Sequence, residues 1–309
     1  MKKYILPISV VGTVIGGTVL VKDYATGGTC PSKATVSGKT IIITGANTGI
    51  GKETARELAR RGGRVIMACR DIDKCETAAR EIRGETLSHH VYARHLNLAS
   101  LKSIREFAKK ITEEEENIDV LINNAGIMRC PHWKTQDGFE MQLGVNHLGH
   151  FLLTNLLLEK LKNSGNGRII NVSSLAHIVG QIDFNDLNWE KKKYDTKAAY
   201  CQSKLANVLF TKELAKRLHG PFFLFLVKSP SLGAQASVYL AVAEELEGVS
   251  GKYFDVIKQK DPAPQALEDE TARRLWEMSA KLVGLENDKP GPQLQNNSTV
   301  NMDNVRTDK

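Results

Sequence analysis

A β-branched run, Thr40-Ile41-Ile42-Ile43-Thr44, passes straight into Gly45-Ala46-Asn47-Thr48-Gly49-Ile50-Gly51, and a helical pattern continues from Ile50 to Arg61. So short and branched a run suits a strand buried on both faces, as in a parallel sheet. Gly45 lets the chain turn tightly at the strand exit, and Gly49 and Gly51 leave backbone N–H groups open at a helix start. A Gly-rich turn alone also serves plain turns. The strand before it and the helix after it favour a pyrophosphate site.

The same alternation recurs along the chain. Arg64 to Ala68, Val91 to His95, Asp119 to Asn123 and Arg168 to Val172 read as further strands. Asp71 to Arg83, a helix capped by Ser100, Gly144 to Lys162 and Ala198 to His219 read as helices between and after them. The pattern predicts an α/β fold: a single-domain, Rossmann-type, doubly wound parallel sheet with ligands at the carboxyl ends of its strands. The domain is expected over residues 39–285, after a linker at 26–38 and before a polar tail at 286–309 expected to be disordered.

Residues 1–25 differ from the rest. Lys2 and Lys3 precede an apolar run from Tyr4 to Val21, at the short end of what spans a bilayer. A retained N-terminal membrane-anchor helix is the favoured reading, and a signal or targeting segment is the alternative. Basic residues flank both ends, so orientation stays open. The net charge is +7 and the pI about 9.0. Lys and Arg are scattered, not gathered into a stripe with aromatics, so no nucleic-acid partner is expected. Cys30, Cys69, Cys75, Cys130 and Cys201 are odd in number and lack metal-ligand spacing. They indicate neither a disulfide framework nor a metal site, and are expected to be reduced thiols packed as small hydrophobes.

The end of the second strand bears on cofactor choice. NAD binders usually place an acid there for the ribose hydroxyls. This strand ends Met67-Ala68-Cys69-Arg70, and a guanidinium suits a 2′-phosphate. NADP(H) is therefore expected, the alternative being that Arg70 pairs with Asp71 or faces solvent. Tyr200 and Lys204 stand four residues apart on a helix and can point into one site. A neighbouring ammonium lowers a phenol's pKa and makes the pair a workable acid/base. Alone, such a pair is usually an amphipathic surface feature. Here Asn171-Val172-Ser173-Ser174, Asn123-Asn124-Ala125-Gly126 and Val145-Asn146-His147-Leu148-Gly149 all belong near one edge of the same sheet.

Together these motifs resemble the short-chain dehydrogenase/reductase family. Leu175-Ala176-His177, the long insertion before Tyr200 and Asn146-His147-Leu148-Gly149-His150 look like its retinol dehydrogenase branch. The resemblance implies that Tyr200 donates and accepts the proton and that Ser174 orients the substrate carbonyl. It implies that Lys204 holds the nicotinamide ribose and lowers the Tyr200 pKa, while Asn146 supports a proton relay. Gly45, Asn47, Thr48, Gly49, Ile50, Gly51, Arg70, Asn97 and Asn124, with Tyr200 and Lys204, would line the cofactor. Ser174 is preferred to Ser173 because only one of two neighbours on a strand end can face the site. His147 and His177 are expected to be structural. The implied reaction interconverts a lipophilic alcohol and aldehyde, retinol and retinal above all. The implied location is a membrane, the mitochondrial inner membrane first and the endoplasmic reticulum as alternative.

Two departures stand against that pattern. Asn97 replaces the family's usual Asp near the adenine and still offers hydrogen bonds. More seriously, His219-Gly220 leads directly to Pro221 and the run Phe222 to Val227, and no Pro-Gly occurs between Tyr200 and Lys289. The family's sixth strand, its nicotinamide-gripping turn and its substrate loop are expected to be missing, although Val249 to Asp255 still reads as the last strand. Two rival functions follow: a catalytically impaired or dead variant keeping partial cofactor binding, and a membrane-tethered interaction protein on an inert Rossmann scaffold.

Overall fold

The computed structural model describes residues 30–218 and 230–285. Strands β1 (Thr40–Thr44), β2 (Arg64–Cys69), β3 (Val91–His95), β4 (Val120–Asn123) and β5 (Arg168–Asn171) form a five-stranded parallel sheet in the order β3-β2-β1-β4-β5. The strand order reverses between β1 and β4, and a crevice opens there at the strands' carboxyl ends.

Alternation along the buried strands sorts their side chains onto two faces. Ile41, Ile43, Val65, Met67, Val120, Ile122 and Ile170 pack beneath α1 (Gly49–Arg60), α2 (Ile72–Thr86) and α7 (Pro230–Val242). Ile42, Ile66, Leu121 and Ile169 face the other way, toward α3 (Leu101–Glu114), α5 (Gly149–Asn163), α6 (Thr196–Leu218) and α8 (Asp269–Val283). Helix α3 presents one apolar stripe, Ile104, Phe107, Ala108 and Ile111, whereas α6 is buried all round from Gln202 to Thr211. Ser100 caps α3 by accepting from the Ser103 N–H, and Asp71 caps α2 by accepting from the Lys74 N–H.

The helix expected over 144–162 is interrupted. The short α4 (Met141–Leu143) runs into a π-helical turn, Gly144–Leu148, before α5 begins. A side chain at Gly149 would strike the Leu98 carbonyl oxygen at 2.7 Å, so the backbone there lies tight against its neighbour. π-turns of this kind recur at functional sites, and this one carries Asn146.

Among the described residues the parallel sheet ends at β5. The segment read as the last strand does not join it. Tyr253–Asp255 (β6) pairs antiparallel with Lys258–Lys260 (β7) as a separate two-stranded ribbon. Its backbone finds partners in the residues that follow it. Beside β5, the buried Arg168 guanidinium donates to the carbonyls of Leu240 at 2.9 Å and Ala243 at 2.8 Å, holding the end of α7. The expectation for the cysteines also needs correction. Cys69 and Cys75 form a disulfide, because the β2–α2 turn brings the end of the strand under the first turn of the helix.

The apolar run at 4–21, the Phe222–Val227 run and the polar tail lie outside the described residues. Among the described residues no helix is long and apolar enough to cross a membrane.

Candidate functional site

The Gly-rich turn leaves β1 with Gly45 at φ 64°, a left-handed conformation that favours glycine. A Cβ there would lie 2.9 Å from the Ala125 Cα, and one at Gly51 would meet the Asn124 amide nitrogen at 2.5 Å. Gly49, at φ 57°, has open space where a Cβ would stand. Thr48 precedes α1 without a side-chain cap, and the first turn of that helix holds no acid. The positive end of a 12-residue helix is therefore left for an anion.

The turn is held from below. Asn124 Nδ2 donates to the Thr44 carbonyl at 2.8 Å. The Thr44 hydroxyl accepts from the N–H groups of Asn124 (3.0 Å) and Ala125 (2.9 Å), and lies 2.8 Å from His150 Nε2. Asn124 thus shapes the cradle through its amide. Burial lowers the His150 pKa to about 4, so the ring is neutral at this junction. Thr44 and His150 lie 106 residues apart, and no local signal announces the contact.

On the adenosine side, Asp71 pairs with Lys74 at 2.8 Å. Among the described residues no ion pair involves Arg70, which is exposed at the rim. Asn97 uses its side-chain oxygen to accept from the Ala99 N–H at 3.0 Å. An open basin of about 400 Å³ lies between the start of α1 and α2, lined by Asn47, Thr48, Lys52, Lys74 and Thr77 among others.

Tyr200 and Lys204 stand one turn apart on α6, with the Lys204 ammonium 5.7 Å from the centre of the phenol ring. Lys204 is buried and donates to the Val172 carbonyl at 3.0 Å. Desolvation pulls its pKa down to about 8. Burial pushes the Tyr200 phenol above its usual value, and a hydrogen bond with the Ser174 side chain opposes that rise. The depression of the phenol expected from Lys204 is thus not seen; burial dominates the shift. Ser173 turns away and donates to the Lys204 carbonyl at 2.7 Å, leaving Ser174 on the Tyr200 side.

Asn146, in the π-turn, accepts from the Ile127 N–H at 2.8 Å and donates to the Ile127 carbonyl and the Ser203 hydroxyl, each at 2.9 Å. A Cβ on Gly126 would meet Lys204 Nζ at 3.4 Å and Asn146 Oδ1 at 3.5 Å, so both groups converge beside that glycine. His177 accepts from the Ala263 N–H at 3.2 Å, and His147 lies buried, 2.8 Å from the Ser279 hydroxyl. Met128, two residues past the β4 motif, and Leu175, next to Ser174, expose apolar side chains.

Comparison with known proteins agrees with this geometry. The short chain dehydrogenase family pattern matches residues 39–221. Retinol dehydrogenase 13 of Homo sapiens is 66% identical over 320 aligned residues, covering 93% of this chain and 97% of the relative. Retinol dehydrogenase 12 of Mus musculus is 48% identical and covers 86% of this chain and 93% of its own. The 320 aligned positions outnumber this chain's 309 residues, so the human relative carries residues with no counterpart here. Among solved structures, an uncharacterized protein from Mycobacterium paratuberculosis superposes with a TM-score of 0.74 at 40% identity, covering 84% of this chain and 98% of that one. A metagenomic short-chain oxidoreductase in complex with NADP gives 0.57 at 27% identity, over 69% and 95% of the two chains. Motifs, sheet order and relatives coincide: the chain belongs to the short-chain dehydrogenase/reductase family of oxidoreductases, with the retinol dehydrogenases among its relatives.

Proposed function

We propose that this chain uses NADP(H) to interconvert a lipophilic alcohol and its aldehyde, of the retinol and retinal class. The observation that carries the reading is the convergence of Tyr200, Ser174, Lys204 and Asn146 beside an open, uncapped helix start. The residues fit a dinucleotide. Gly45, Asn47, Thr48, Gly49, Ile50 and Gly51 would hold its pyrophosphate, Arg70 a 2′-phosphate, and Lys204 its nicotinamide ribose. Asn97 and Asn124 would support the adenine side and the turn. The solved relative that holds NADP is consistent with this choice.

The bound nicotinamide supplies or accepts a hydride. The remaining steps belong to the chain. Tyr200 gives its proton to the carbonyl oxygen during reduction and takes one back during oxidation. Its raised pKa keeps the phenol protonated at neutral pH, the form that reduction requires. Ser174 fixes the carbonyl against the phenol. Lys204, titrating near pH 8, and Asn146, anchored on Ile127, return the proton toward solvent. Met128 and Leu175 give the mouth an apolar rim suited to a lipophilic substrate. Attachment to a membrane, the mitochondrial inner membrane first and the endoplasmic reticulum second, is part of this proposal and rests on the apolar run at 4–21 and the family resemblance.

A second reading, binding without efficient turnover, is favoured by the sheet's end at β5 and by the longer relative. Loosened hydride geometry costs orders of magnitude in rate. Thermal unfolding with NADPH or NADH, followed by retinal-dependent NADPH oxidation, separates the two. A melting temperature raised more by NADPH, with turnover, supports the enzyme. The same shift without turnover supports the impaired form, and no shift with either cofactor sinks both.

A further inference from the structure

Arg70, on which the cofactor choice turns, has its backbone held between two fixed points. Cys69 before it pairs with His95 of β3, and its carbonyl accepts from the Leu96 N–H at 2.8 Å. Asp71 after it caps α2, accepting from the Lys74 N–H at 3.1 Å. The Cys69–Cys75 disulfide closes this interval, with the two Cα atoms 6.1 Å apart. Both cysteines are buried between sheet and helix. A bond closing so short a loop restricts the unfolded chain less than one closing a long loop. Its chief effect is therefore local: it pins the start of α2 to the end of β2 across the Arg70 turn. That helix also forms one wall of the basin, where Lys74 and Thr77 join Asn47, Thr48 and Lys52 across from it.

We propose that this disulfide is a positioning element for cofactor choice. When formed, it holds Arg70 and the α2 wall where a 2′-phosphate can be gripped. When reduced, it frees the turn, and discrimination of NADPH over NADH falls. The inference rests on the NADP(H) reading above. Bond formation removes two electrons and two protons from the Cys69 and Cys75 thiols. A low-molecular-weight disulfide of the glutathione class takes them up and leaves as two thiols, by exchange through a mixed disulfide. Both sulfurs are buried, so exchange requires opening of the first turn of α2, which begins at the exposed Ile72.

The test uses the full chain, equilibrated with oxidised glutathione or with dithiothreitol, its bond state assigned by thiol-labelling mass spectrometry. Binding of 2′,5′-ADP and of 5′-AMP is then titrated in each state. Reduction is expected to weaken 2′,5′-ADP by about 5-fold or more, with 5′-AMP changed far less. Cys75→Ser should match the reduced form whichever buffer is used. A general loosening of the fold would weaken both nucleotides together, and that result overturns the proposal. So does an equal preference for 2′,5′-ADP in both states, or a failure of oxidised glutathione to join Cys69 to Cys75. If neither state prefers 2′,5′-ADP to 5′-AMP, the NADP(H) reading itself fails. The comparison of the two wild-type states stands even if the variant does not fold.

Discussion

Lys204 sets stability against function. The residue is 4% exposed, and its ammonium donates to the Val172 carbonyl at 3.0 Å and has no ion pair among the described residues. Burial alone lowers its pKa from 10.5 to about 8. At about 1.4 kcal/mol per pH unit, that gap withholds about 3 kcal/mol from the fold at neutral pH. Between pH 8 and 10.5 the unfolded chain binds this proton and the folded chain does not, so stability rises with pH through that window. The buried tyrosines act oppositely above pH 10, where unfolded phenols ionise first while folded Tyr253 holds its proton to about 12. The thiols of Cys30, Cys130 and Cys201, also raised by burial, act oppositely from about pH 9, so the Lys204 contribution is read as the difference between wild type and a Lys204 variant. Lys204→Met removes the penalty together with one hydrogen bond, the latter worth about 1 kcal/mol. Asn207 Nδ2 remains 3.4 Å from the same carbonyl. The variant should gain about 2 kcal/mol at pH 7, a rise of about 4–8 °C in Tm, while losing turnover. Circular-dichroism melts of both proteins from pH 7 to 10 check this. A variant that melts no higher than wild type at pH 7 refutes the reasoning. So does a stability gap between the two proteins that does not narrow between pH 8 and 10.

Three further outcomes follow from the same structure. Tyr200→Phe should lower retinal reduction by about 10²–10⁴-fold with the NADPH-induced melting shift intact; turnover near wild type would remove Tyr200 from the chemistry. Arg70→Glu should reverse the cofactor preference, and titrations with NADPH and NADH that keep the wild-type order would separate Arg70 from the 2′-phosphate. Arg168→Met strands the Leu240 and Ala243 carbonyls and should cost about 2–4 kcal/mol; an unchanged urea midpoint would show that this buried guanidinium does not anchor α7.

Much of the architecture could be read along the chain. The strand expected at Thr40 to Thr44 has those bounds, and the one expected at Val91 to His95 does too. A buried parallel strand is a continuous branched run, closed by glycine or a helix cap, and both signals are local. The meeting of Tyr200 with Ser174, and the approach of Lys204 and Asn146 to Gly126, were legible for a related reason. Each motif follows or flanks a strand, and right-handed crossovers bring the strand ends to one edge.

What local pattern could not supply is pairing between residues distant in sequence, or geometry set by neighbouring layers. The Thr44–His150 contact depends on how α5 packs beneath β1. The π-turn that presents Asn146 interrupts what reads as one uninterrupted helix. Lys204 donates to the Val172 carbonyl, and burial raises the Tyr200 pKa, because burial depth and available acceptors are properties of the packed site. The Cys69–Cys75 bond and the Tyr253–Lys260 ribbon are close in sequence, and their pairing also depends on turn geometry that residue type alone does not announce. Residue order determines which strands and helices can form and which motifs sit at their ends. Only packing decides which polar atoms meet, how far they are desolvated, and therefore which protons they hold.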